Sequence, residues 1–226
     1  TVKLSVYYLV LGFPFPIILA LLLNECRSQR LKKAVQTLTY APYFISTVVI
    51  VSMLAMFLSP STGIINKMIV FFGGTACDFM GSAKAFRSVY VISGIWQGVG
   101  WSSIIYIAAL AGIAPELHEA AEIDGANRMQ RIWHINLPGI LPTIMIVLIM
   151  NFGSIMSVGF EKAYLMQNSL NQSTSEIIST YVYKIGIQKA QYSYTTAIGL
   201  FNAVINLILL VIVNHISKKA SEISLF

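Results

Sequence analysis

Glu119-Ala120-Ala121-Glu122-Ile123-Asp124-Gly125 runs on through Arg131-Ile132-Trp133-His134 to Ile135-Asn136-Leu137-Pro138, and it is the longest polar, helix-forming stretch in a mostly apolar chain. Hydrophobic runs flank it closely on both sides. Pro115 and Glu116 suit the first turn of a helix, where a missing N–H costs nothing and negative charge meets the positive end of the dipole. Leu117, Ala120, Ala121 and Ile123 give this short helix a small, mostly apolar face; Glu116, Glu119, Glu122 and Asp124 give it an acidic one. Gly125 can take the left-handed conformation that ends a helix, and the chain then turns into a second short, basic-aromatic helix. Two short helices joined at a glycine corner and held at a membrane surface make a shape that another protein can grip. An amphipathic connector lying on the bilayer is the plainer reading. It explains the helix but not the Gly125 corner followed by Leu137-Pro138.

The surrounding chain is a membrane protein by composition. Of 226 residues 56% are hydrophobic and only 11% charged, with mean hydropathy +0.73, against about 25% charged in a soluble domain. Several segments reach the roughly 20 apolar residues that span about 30 Å of hydrocarbon, which favours helices over a barrel. The net charge of +6 suits basic loops against anionic lipid rather than nucleic acid. The basic residues are scattered, with no Lys/Arg-rich run interleaved with aromatics. Cys26 and Cys77 fall in loops assigned to opposite sides of the membrane, so they are not expected to pair, and neither has metal-ligand spacing. Thr1 is not an initiator residue, and a further N-terminal span or a cleaved segment is expected to be missing.

Five spans are predicted. The first runs from about Val2 to Leu23, interrupted by Pro14 and Pro16, which a membrane helix tolerates when neighbours satisfy the freed carbonyls. Asn24 to Gln36 is a loop whose Arg27, Arg30, Lys32 and Lys33 place it in the cytoplasm. The second span is about Ala41 to Leu58. Ser59 to Ser88 forms an outer loop, with a short interfacial helix over Ile64 to Phe72. The third span is about Val89 to Ile113, the polar stretch (114–138) follows on the cytoplasmic side, and the fourth is about Ile140 to Phe160. An outer loop from Glu161 to Tyr194 leads to a last span, about Thr195 to Ile216, ending at Lys218-Lys219. No repeat, low-complexity tract or linker divides the chain, so 1–226 reads as a single transmembrane domain.

Catalytic chemistry is not legible. There is no phosphate-cradling G-x-x-x-x-G-K-[ST] loop, and Gly81-Ser82-Ala83-Lys84 lacks its spacing. His118, His134 and His215 lie apart, with no H-E-x-x-H and no G-x-S-x-G elbow. No catalytic residue and no metal site is assigned. Intramembrane polar residues say more, because such groups pack inward or line a cavity. Asn151, Ser154 and Glu161 stand at steps of three and seven, on one predicted helix face with Ser157 and Val158 between. Trp96-Gln97-Gly98 and Trp101-Ser102-Ser103 set aromatic rings beside polar groups, and Asn202 and Asn206 share a face. Sugars bind by stacking C–H surfaces on aromatic faces while amides and hydroxyls meet their hydroxyl groups. The competing reading is that the same Asn, Ser and Gly residues only glue helices together.

Glu-Ala-Ala, three residues, Gly, nine residues, Ile, one residue, Leu-Pro resembles the coupling loop of bacterial binding-protein-dependent ABC importer permeases, with Glu119, Ala120, Ala121, Gly125, Ile135, Leu137 and Pro138 all in place. Ala20-Leu21-Leu22-Leu23-Asn24-Glu25, Gln36 to Pro42, Trp133 to Pro142, Ser157 to Lys162 and Ile178 to Lys184 resemble the carbohydrate-uptake branch, in particular lipoprotein-associated polysaccharide and oligosaccharide permeases related to the maltose permease. The resemblance implies an all-α, polytopic transmembrane bundle of the type I ABC importer class in the bacterial plasma membrane. It also implies a homologous second permease, two cytoplasmic ATPases that bind the ATP and magnesium, an extracytoplasmic sugar-binding (lipo)protein and an oligosaccharide substrate. In that assembly Glu119 is the acidic anchor toward the ATPase, Ala120 and Ala121 permit close docking, Asp124 and Gly125 form the corner, and Ile135, Leu137 and Pro138 lead into the next span. Trp96-Gln97-Gly98 matches a Trp-x-Gly that contributes sugar contacts, and the sugar-contacting face after the loop maps near Asn151 and Ser154 to Val158, with Ile155 and Val158 where polar residues are expected. An ion-coupled carrier or channel is the alternative, with Glu161 its one marginal ionisable candidate; a membrane enzyme is the other.

Overall fold

A computed structural model of the chain describes residues 1–221, and among them every regular element is helical. The elements are α1 (Val2–Gly12), α2 (Pro14–Asn24), α3 (Gln29–Tyr40), α4 (Thr47–Phe57), α5 (Ile64–Phe71), α6 (Ala83–Ala111), α7 (Pro115–Ile123), α8 (Arg128–Arg131), α9 (Leu137–Gly153), α10 (Phe160–Met166), α11 (Gln172–Ser175), α12 (Ile178–Tyr183) and α13 (Tyr192–Ser221). Four continuous stretches are long and apolar enough to cross a bilayer: Val2–Asn24, Ala83–Ala111, Arg128–Gly153 and Tyr192–Lys219. A fifth arises only if two helices bent by 101° are taken as one span.

Pro14 and Pro16 do not break the first span. Phe13 stays in the right-handed helical region, its N–H reaches Leu9 O at 3.0 Å, and Pro14 occupies the first position of α2, where its lost donor is not needed. The second predicted span is corrected. Its Ala41–Phe44 part is a tight 3₁₀ turn that prolongs α3, and Ser46 starts α4 afresh by accepting the Val49 N–H at 3.4 Å. The predicted loop Asn24–Gln36 is likewise largely helix. Ser28 caps α3 by accepting from Leu31 N, and Arg30, Lys32 and Lys33 are straight-chain residues that favour helix whatever their charge.

The fourth span is shifted. It starts at Arg128, twelve residues before the predicted Ile140, and ends at Gly153 rather than Phe160. A reciprocal cap between Asn127 and Gln130 opens it. One turn of π-helix over Ile132–Asn136 then joins α8 to α9 ahead of Pro138, which has no N–H to return to His134 O. Because Ser154–Gly159 is not helical and Glu161 belongs to α10, the shared face predicted for Asn151, Ser154 and Glu161 does not exist.

The chain divides into two compact units. The first comprises Thr1–Tyr8, Phe44–Gly94 and Ser154–Ile205, with a core of Leu4, Ile50, Phe86, Val91, Met166 and Ile177. The expected short helix in its 59–88 segment is α5. Buried Asn66 holds that segment, donating to Leu58 O, Ser59 O and Cys77 O and accepting from Cys77 N at 2.8 Å. The predicted outer loop 161–194 instead carries α10 to α12 and a π turn at Lys184–Gln188. Within it, fully buried Asn171 ties the chain down by donating to Met80 O at 2.8 Å and Met166 O at 2.9 Å.

This unit also buries a cation. Lys162, on α10, is 8% exposed, whereas its neighbour Glu161 is exposed, so the buried ionisable group is not the one anticipated. Its Nζ donates to Tyr90 O at 3.1 Å and lies 5.1 Å from the centre of the Tyr90 ring. Burial pushes its pKa from 10.5 down to about 8. The folded chain therefore binds fewer protons here than the unfolded chain across that interval, and stability rises with pH through it. We expect the thermal midpoint of the detergent-solubilised protein to climb from pH 8 to pH 10 relative to Lys162→Met, and to track it below pH 8. Parallel curves over the whole range would remove this assignment.

The second unit comprises Leu9–Tyr43, Ile95–Gly153 and the described part of 206–226. Its core joins Ile17 and Ala20 of α2 to Tyr106 and Leu110 of α6 and Ile140 and Ile144 of α9. The long helices invert the soluble pattern. On α13, Leu200, Phe201, Val204, Leu207, Ile208, Val211 and Ile212 are exposed, whereas Thr195, Asn214 and Ser217 are buried. Hydrocarbon solvates the first set, and protein contacts satisfy the second. Both cysteines are free.

Candidate functional site

The polar stretch folds as its residues demand. Pro115 takes the first position of α7 and Glu116 its first turn. At the far end the Gly125 N–H reaches Glu122 O at 3.1 Å and the Ala126 N–H reaches Ala121 O at 2.8 Å, while Gly125 sits at φ +76°. That is a Schellman closure, and it needs a left-handed residue at this position. A side chain added at Gly125 would meet nothing within 4 Å. The glycine is required by backbone angle and not by crowding from this chain.

No residue of α7 is buried. Glu119 and Ala120 are exposed, Ala121 is half-buried, and Asp124 and Gly125 stand at the exposed corner. Ile123 is 87% exposed, and Leu117, Met129 and Trp133 are also bare. An apolar patch on the most polar segment of the chain is unexplained by this chain alone. Behind the corner lies a groove of about 310 Å³, between Ala121, Asp124 and Gly125 on one side and Gln130, His134 and Ile135 on the other. Ile135 and Leu137 are half-buried and Pro138 is exposed at the start of α9.

Residues that the reading by motif passed over anchor this loop. Glu25, directly after α2, accepts from Asn136 Nδ2 at 3.0 Å and lies 3.8 Å from Arg131 Nη2, and the Arg131 guanidinium also grips Glu122 of α7. Glu25 and Asn136 lie 111 positions apart. Only their polarity at the edges of apolar runs marked them in the sequence.

The predicted pathway residues are divided between the two units. In the second unit Trp96, Gln97 and Gly98 lie on α6; Trp96 is about half exposed, and Gly98 faces open space. Consecutive helical residues sit about 100° apart, so Gln97 shares its face with Trp101 rather than with Trp96. Trp101 stacks on Tyr43, centroids 4.5 Å apart and planes within 3°. Asn151 is exposed on α9, with its Nδ2 donating to Val147 O at 2.7 Å. In the first unit Ser154 is exposed and Val158 half-buried, within the non-helical 154–159 segment. That unit also holds a cavity of about 390 Å³ lined by Phe160, Ser179, Tyr183, Thr195, Gly199 and Asn202. Ser179 Oγ and Asn202 Oδ1 are buried there without a hydrogen-bond partner among the described residues. Among those residues no cluster of His, Cys, Asp and Glu could hold a metal ion.

Comparison with known proteins agrees with this architecture. The profile of the family described as "Binding-protein-dependent transport system inner membrane component" matches residues 12–222. The polygalacturonan/rhamnogalacturonan transport system permease protein YteP of Bacillus subtilis is 45% identical over 98% of this chain and 69% of its own length. Protein LplB of the same organism is 45% identical over 100% of this chain and 71% of its own. Among solved structures, a chain of a bacterial ABC transporter that imports the acidic polysaccharide alginate superposes with TM-score 0.93 at 43% identity, covering 97% of this chain and 77% of that one. A chain of the alginate transporter in complex with a periplasmic protein bound to alginate pentasaccharide gives TM-score 0.95, covering 99% of this chain and 77% of that one. The fold is that of a type I ABC importer permease, and the chain belongs to the family of binding-protein-dependent transport system inner membrane components.

Proposed function

We propose that this chain is one permease half of an ATP-driven importer of oligo- or polysaccharides, seated in the bacterial plasma membrane as a single transmembrane domain. It forms half of a translocation pathway with a homologous second permease. It receives sugar from an extracytoplasmic binding protein and docks one of the complex's two ATP-hydrolysing subunits from the cytoplasm, and it holds no catalytic group itself. The observation that carries the reading is the Schellman-closed helix α7, none of whose residues is buried and which leaves Glu119, Ala120 and Ile123 exposed. Ala120 and Ala121 let a partner's surface come close, and Glu119 offers it a carboxylate. Sugar contacts are assigned in the second unit to Trp96, Gln97, Gly98 and Asn151, where an indole ring and amides suit a polyhydroxylated ring, and in the first unit to Ser154 and Val158. Uronate-rich oligosaccharides are the first substrates to try, since two relatives handle polygalacturonan and alginate.

The test is co-purification of the chain with its neighbouring transporter subunits, followed by ATP hydrolysis measured with binding protein and a panel of acidic and neutral oligosaccharides. Stimulation by one sugar class, lost in Glu119→Lys while the helical content is kept, is the expected result. Failure of any ATPase to associate, with sugar flux persisting without ATP, would replace this reading by an ion-driven carrier.

A further inference from the structure

Arg131 stands where three elements meet in the second unit. Its guanidinium contacts Glu122 near the end of α7 and Glu25 at the end of the first span, while its backbone leads into the π turn that opens the fourth span. The two carboxylates differ in setting. The Arg131 and Glu25 side chains are only 12% and 16% exposed, whereas that of Glu122 is 64% exposed. The Arg131–Glu25 contact is shielded from water but long, at 3.8 Å, whereas the Arg131–Glu122 contact is a hydrogen bond open to solvent, so one guanidinium joins a shielded carboxylate to an exposed one. Asn136, fully buried at the other end of the π turn, donates a hydrogen bond to the same Glu25 carboxylate at 3.0 Å.

The arrangement is incompletely satisfied. Arg131 Nε and Asn136 Oδ1 are both buried and have no hydrogen-bond partner among the described residues. Orphaned buried groups are rare and costly, and single π turns are unusual and frequently sit at functional sites. Here the orphaned donor immediately precedes the π turn and the orphaned acceptor is its last residue. A change of register in this one turn would move both atoms relative to Glu25. The Glu25 carboxylate thus meets the chain on both sides of the turn, at Arg131 just before it and at Asn136 at its end.

We propose that Glu25, Arg131 and Asn136 are positioning residues that carry movement of the docked α7 helix to the cytoplasmic end of the first span. This rests on the importer reading above and adds to it the path of force within the chain. Arginine is required because its planar fork addresses two carboxylates at once; lysine, a single point of charge, cannot. The joint is a transmission element and not a docking element, so its loss leaves the ATPase attached.

The test compares Arg131→Lys, Glu25→Gln, Glu122→Gln and the Arg131→Lys/Glu25→Gln double variant in the complete transporter. ATPase subunits retained on purification and sugar imported per ATP hydrolysed are both recorded. We expect undiminished ATPase binding in all four, and about a tenfold fall in sugar per ATP for Arg131→Lys and Glu25→Gln. The double variant should be no worse than the worse single one, as for two residues acting through one joint. Glu122→Gln changes only an exposed side chain, so it leaves folding intact, and it should lower the ratio in the same direction. A wild-type ratio in Glu122→Gln and Arg131→Lys would overturn the proposal, as would loss of ATPase binding in step with loss of transport. If wild-type protein binds no ATPase, the importer reading itself fails, an outcome separate from either.

Discussion

Gly125→Val is expected to cut ATP-driven uptake by more than about tenfold, with Gly125→Asn close to wild type. The left-handed conformation at φ +76° costs an ordinary residue about 1–2 kcal/mol and a β-branched one more; asparagine visits it routinely. A penalty of that size shifts the corner at least about tenfold away from its closed form. With the corner open, the Ala126 and Gly125 N–H groups lose Ala121 O and Glu122 O, and α7 no longer holds the angle at which a partner would meet it. A Cβ at this position would meet nothing within 4 Å, so the expected penalty comes from the backbone angle. Uptake into proteoliposomes together with ATPase retention checks this. Equal uptake by Gly125→Val and wild type would remove the corner from the coupling mechanism.

Gly100→Ala and Gly98→Ala, two residues apart on α6, should move stability in opposite directions. A methyl group at Gly100 would collide with the Thr39 carbonyl of α3 and come within 2.8 Å of the Tyr40 ring. Backbone cannot rotate out of the way, so the helices must separate, at a cost of about 1–3 kcal/mol. That exceeds the roughly 0.5–1 kcal/mol gained when alanine replaces glycine inside a helix. At Gly98 nothing lies within 4 Å, so only the gain applies. We expect Gly100→Ala to lower the thermal midpoint and Gly98→Ala to hold or raise it. If Gly98 borders the sugar path, its variant should nevertheless import more slowly while unfolding no more readily. Loss of stability in both would mean that α6 has a neighbour at Gly98, and the pathway assignment there would fall.

The helical class and the corner at Gly125 were legible because each depends on local chemistry. Twenty or so apolar residues in a row have few other stable states, and a Pro-Glu start with a Gly finish names a helix and its ends. Boundaries were read less well where local signals conflict. Arg128 to Asn136 reads as a short separate helix by its polarity, yet it runs without a break into α9 and forms the first turns of a span. Ser154 to Phe160 looks apolar enough to continue α9, yet the helix stops at Gly153.

What the sequence determined by itself was therefore whatever a residue and its near neighbours settle: membrane helices, caps, a left-handed glycine and a coupling-loop pattern. Only the tertiary structure decided which distant polar residues meet. Glu25 with Asn136, Lys162 with Tyr90, and Gly100 against Thr39 are contacts between segments far apart in the chain. Their periodicity carries no mark of the partner. Each follows from how apolar helix faces pack, and a buried polar group then takes whichever donor or acceptor that packing brings within reach.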